Sequence, residues 1–90
     1  MNPQKAKTLI GLKKAHSLLG KLIRMVETDE YCVNVMQQNL AAIGLLKSVH
    51  QNLMEGHLNS CVRNAMDTHS HAKKQQMIAE ILTVTKLANK

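Results

Sequence analysis

Three side chains stand out for the chemistry they could do together: Cys32, His57 and Cys61. His57 and Cys61 are four apart, so on a helix they project from one face on successive turns. That is the spacing by which a helix presents two ligands to one metal. The same pair is equally compatible with a buried cysteine beside a surface histidine. Cys32 lies 25 positions before His57, on the order of 37 Å away along a continuous helix at ~1.5 Å per residue. Within one straight helix the three cannot share a metal. They can if a second protomer packs antiparallel and brings its own His57 and Cys61 to the first chain's Cys32, and a two-fold axis then creates two equivalent sites. Two thiolates and an imidazole are soft ligands, and three without an obvious fourth favour trigonal Cu(I). Zinc would call for a fourth donor to close a tetrahedron. His50, His69 and His71 are available as extra donors but read more simply as solvated histidines.

The elements that must hold these residues are helical. Leu9, Leu12, Leu19, Leu22, Ile23 and Val26 recur at three- and four-residue spacing and predict a helix from roughly Pro3 to Thr28. Pro3 fits a first turn, where its missing N–H costs nothing. Thr28 or Asp29 is expected to cap a second helix, with Glu30 near its positive end. This second helix is predicted from about Glu30 to Met66, with an apolar stripe broader than a surface helix needs, which points to several packing partners. Gly44 and Gly56 each weaken it by roughly 1 kcal/mol relative to Ala, and each could mark a close helix contact or a kink. Asp67 to His71 form a polar connector, and a third helix follows from about Ala72 to Leu87. The expected fold is all-α: a single domain over residues 1–90, with three helices per protomer and an antiparallel homodimer.

Composition agrees. The chain has one Pro, no Phe, no Trp and a single aromatic residue, Tyr31. Its core must be aliphatic and Met-rich, which suits helix packing better than a β-sandwich. Ninety residues bury a modest core, and oligomerisation is a common supplement. Twelve Lys and Arg against six Asp and Glu give a net charge of +6. That is either a solvated basic surface or the electrostatic footprint of a polyanion partner, nucleic acid first. No apolar run approaches the ~18 residues that suggest a membrane span. The polar start Met1-Asn2-Pro3-Gln4-Lys5 is not a signal peptide. The expected compartment is the cytoplasm, where thiols stay reduced. Nothing resembles a nucleophile–base–acid set or a phosphate-cradling glycine loop, so no enzyme is expected.

The pattern Tyr31-Cys32 followed by His57-Leu58-x-x-Cys61-Val62 resembles the Cys–His–Cys fingerprint of the CsoR/RcnR family of metal-sensing repressors, copper-sensing type. Arg24-Met25-Val26-Glu27 also looks like the end of that family's first helix. Relatives that sense nickel or cobalt, formaldehyde or sulfane sulfur differ at these same positions. The resemblance implies a dimer of dimers built on an antiparallel four-helix core, whose metal-free tetramer binds operator DNA and which Cu(I) releases to allow copper export. It implies Cys32, His57 and Cys61 as metal ligands. It also implies Tyr31 and Glu80 as outer partners, with His57 binding metal through one ring nitrogen and hydrogen-bonding through the other.

The basic residues depart from the family pattern. Lys13 and Lys14 stand where the family has a basic pair, and Arg24 fits. Ser17 and Leu18, however, replace a usual Gly-Gln, and Gly20-Lys21 stands in place of Arg-Gly. Only Lys47 is near the basic position expected around Ile43. Lysine is a point charge and arginine a bidentate fork. Attraction to phosphate could therefore survive on Lys13, Lys14, Lys21, Arg24 and Lys47 with weaker sequence readout. Two alternatives remain open: a cytosolic Cu(I)-binding protein of the same fold with little specific DNA binding, and a repressor that responds to thiol oxidation or persulfide through Cys32 and Cys61.

Overall fold

The computed structural model describes residues 3–67 and 69–90. Helix α1 spans Pro3–Glu27 and α2 spans Cys32–Gly56. A π-helical segment, His57–Val62, follows directly, then α3, Arg63–Met66, and α4, His71–Ala88. The predicted second helix is therefore one unbroken helical stretch with a change of register inside it. Among the described residues there is no strand, and the fold is all-α. No helix among them is long and apolar enough to cross a membrane. Of the Asp67–His71 connector, Thr68 lies outside the described residues.

The chain divides into two compact units, one up to Glu55 and one from Gly56 onward. In the first, α1 and α2 form an antiparallel αα-hairpin. The buried residues of α1 are Thr8, Ala15 and Leu22, and those of α2 are Ala42 and Val49. Each set repeats every seven residues, which keeps it on one face. Most of these side chains are small, so the backbones approach closely. A Cβ on Gly11 would lie 2.7 Å from Val49 Cγ2, which leaves no room for a side chain there. The close glycine contact is thus at Gly11. Gly44 meets nothing within 4 Å, and Gly56 closes α2 where the π-helical register begins.

The turn after α1 differs from expectation. Asp29 adopts a left-handed conformation, φ 56°. Its N–H donates to the Val26 carbonyl at 3.2 Å, and the Glu30 N–H donates to Met25 at 2.9 Å. This is a Schellman closure, with Asp in the position glycine usually takes. The Thr28 hydroxyl donates to the Arg24 carbonyl at 2.9 Å. Thr28 and Asp29 therefore finish α1 instead of capping α2. The α2 start rests on the Tyr31 carbonyl, which accepts from the N–H groups of Asn34 and Val35.

In the second unit, α3 packs against α4. Ser70 caps α4, its Oγ accepting from the Lys73 N–H at 3.3 Å. Neither the π-helical segment, α3 nor α4 buries a residue fully. Across both units large apolar side chains stay exposed: Leu40 is 65% accessible, Ile23 61% and Leu82 56%. Val33, Met36, Leu40 and Ile43 follow at spacings of three and four and form a second apolar face of α2, turned away from Ala42 and Val49.

Candidate metal centre

Cys32 is the first residue of α2; its thiol is free and exposed. His57 opens the π-helical segment and is half-buried, and Cys61 lies within that segment with a free, exposed thiol. Two of the three candidate ligands thus share a short stretch of i→i+5 backbone pairing, a feature found frequently at functional sites. The spacing of His57 and Cys61 read from sequence assumed an α-helix; the observed register is wider. Among the described residues of one chain, no group of three or more His, Cys, Asp or Glu could hold a metal ion.

The remaining candidates sit as follows. Tyr31 is 66% exposed, immediately before α2. The Glu80 carboxylate accepts from Gln76 Nε2 at 3.0 Å, one turn back on its own exposed helix face. His50 is half-buried on α2, His69 is exposed, and His71 is the exposed first residue of α4. Sequence reasoning overlooked Ser60. Its hydroxyl donates to the Gly56 carbonyl at 2.6 Å and lies 3.8 Å from Cys61 Sγ. The signal was present: a serine four residues after a helical glycine is a combination that bends helices.

The cationic residues are all exposed: Lys13, Lys14, Lys21 and Arg24 on α1, and Lys47 on α2. From Pro3 to Val26, α1 carries six basic side chains and no acidic one. They do not form one row. Lys14 and Lys21, seven apart, flank the buried stripe, whereas Lys13 and Arg24 lie on the far side of the helix. Lys47 projects from the α2 face opposite Ala42 and Val49.

These features define a class: a small all-α protein with a cationic first helix and two free, exposed thiols. Comparison with known families narrows it. Residues 4–86 match the family described as metal-sensitive transcriptional repressor, and the chain belongs to that family. It is a family of repressors, not of enzymes. The copper-sensing transcriptional repressor CsoR of Mycobacterium tuberculosis is 32% identical over 79 residues, covering 87% of this chain and 66% of that protein. CsoR of Bacillus subtilis is 33% identical over 75 residues, covering 83% of this chain and 71% of the relative. The copper-sensing repressor RicR of M. tuberculosis is 36% identical over 55 residues, 61% of this chain and 57% of that protein. The chain thus spans just under two thirds of the length of the mycobacterial CsoR it matches.

Proposed function

We propose that this protein is a Cu(I)-responsive, DNA-binding repressor of the cytoplasm, acting as one regulatory domain per chain. The observation that carries this reading is the C-x24-H-x3-C pattern, with both thiols free and exposed. Its relatives are named copper-sensing, and two thiols with one imidazole suit a soft, low-coordinate ion.

Helix α2 has 25 residues and runs about 37 Å at its α-helical rise. Cys32 opens it, and His57 follows its last residue. An antiparallel copy would present its His57 and Cys61 to this Cys32. The exposed face of Val33, Met36, Leu40 and Ile43 supplies apolar surface for such a pairing, extending to a tetramer. Cys32, Cys61 and His57 would hold the ion, which supplies a bond network tying two chains together. Tyr31 and Glu80 would orient His57 from outside, Glu80 exchanging its bond to Gln76 for one to the imidazole. Lys13, Lys14, Lys21 and Arg24 would meet operator phosphates, and Lys47, which shares the α2 face of Leu40 and Ile43, would do so from the rim of the paired surface. Repression and metal binding are then linked by a coupling free energy, each weakening the other equally.

One observation favours a second reading, a copper-binding protein with little operator specificity: α1 would meet DNA mainly through lysines, which attract phosphate without a bidentate fork. Fluorescence anisotropy separates the two. The purified apo-protein is titrated onto the DNA upstream of its own gene and onto random DNA, and Cu(I) is then added anaerobically. Preferential binding that one equivalent of Cu(I) per chain releases is the expected result. Equal binding to both DNAs, with Cu(I) still taken up, would overturn the repressor reading in favour of the second.

A further inference from the structure

Arg24 is the one arginine of α1, whose other cationic side chains are lysines. Side chains on a helix lean toward its N-terminus. Arg24 leans back in this way over Gly20, one turn earlier. Its Nη1 atom stands 3.5 Å from where a Cβ on Gly20 would lie, and among the described residues no other side chain from beyond the chain neighbours comes within 4 Å of that point. Gly20 thus differs from Gly11, whose missing side chain makes room for Val49 of α2. A glycine inside a helix is destabilising relative to alanine, and the space this one leaves is used by Arg24. Both residues lie with Lys13 on the side of α1 turned away from Thr8, Ala15 and Leu22. Arg24 is exposed, and its guanidinium makes no hydrogen bond or ion pair among the described residues. Lysines attract phosphate as point charges, whereas a guanidinium is a planar fork of donors. Two acceptors side by side, N7 and O6, are what guanine shows such a fork in the major groove. The bare backbone at Gly20 lets a flat edge come close to the helix.

We infer that Arg24, laid back over Gly20, is the side chain by which α1 reads a guanine edge, and that Gly20 is its positioning residue. This refines the place of Arg24 among the cationic residues: the lysines meet phosphates and Arg24 a base. The inference rests on the reading of the protein as a DNA-binding repressor.

The test measures binding of metal-free protein to the DNA upstream of its own gene and to random DNA, with circular dichroism checking that each variant stays helical. Arg24→Lys keeps the charge and loses the fork. It is expected to cut the preference for the upstream DNA about 10-fold, leaving the affinity for random DNA and its salt slope as in the wild type. A Cβ at 3.5 Å is in ordinary contact, so Gly20→Ala is expected to keep the wild-type preference. Gly20→Val, branched at its Cβ, crowds the guanidinium out and is expected to match Arg24→Lys. Gly20→Val/Arg24→Lys should lose no more than either single variant, because both remove the same contact. Gly20→Val with the wild-type preference would overturn the positioning role. Arg24→Lys with that preference intact, or with affinity lowered alike on both DNAs, would overturn the base-reading role whether or not Gly20→Val folds. A wild type that shows no preference between the two DNAs fails at the repressor reading itself and takes the inference with it.

Discussion

Val49 Cγ2 occupies the space where a side chain on Gly11 would begin, so the closeness of α1 and α2 depends on a missing Cβ. Gly11→Val is expected to lose about 1–3 kcal/mol through overpacking, read as a lower midpoint in chemical denaturation. An unchanged midpoint would mean that the helices pack elsewhere. Neither Gly44 nor Gly56, the two glycines that stand out in the sequence of the second helix, makes this contact. Helical periodicity shows that a glycine is costly but not which side chain on another helix faces it. The candidate ligands were legible individually. Cys32, His57 and Cys61 announce themselves by type and spacing, and the structure leaves both thiols free. Ser60 was not legible, because its bond to the Gly56 carbonyl depends on a side-chain orientation that spacing does not show.

Helix boundaries followed the apolar period closely, since that period is what buries Ala15, Leu22, Ala42 and Val49. The differences fell at the ends. Thr28 and Asp29 have the chemistry of an N-cap, yet Asp29 tolerates a left-handed backbone and closes the preceding helix. A capping residue between two helices can serve either, and sequence does not say which. On α1, Lys13 and Lys14 are adjacent in sequence, and helix geometry turns them toward two faces. Replacing both with Ala is expected to reduce the steepness of the log affinity against log salt plot for DNA, by roughly 0.9 for each phosphate that the variant no longer neutralises. Cu(I) affinity should stay unchanged. An unaltered salt slope would move the DNA-facing surface off this part of α1.

The described residues bury few apolar side chains, and this was foreshadowed by an α2 stripe too broad for one neighbour. The exposed side chains Met36, Leu40 and Ile43 in the first unit, and Ile78, Leu82 and Leu87 in the second, mark surfaces suited to other protein. Which surfaces meet is not a property of one chain's sequence, because the pairing depends on a symmetry operator. The same holds for the proposed metal set: its three candidate donors lie on every chain, and on the proposed reading they assemble between two. Mixing protomers tests this most directly. A Cys32→Ala chain and a His57→Ala/Cys61→Ala chain are each expected to lose tight Cu(I) binding. Refolded together, they should form heterodimers in which one of the two sites is intact, recovering tight binding at one Cu(I) per heterodimer. Mixed protomers that form heterodimers but take up no Cu(I) would contradict a site shared between chains.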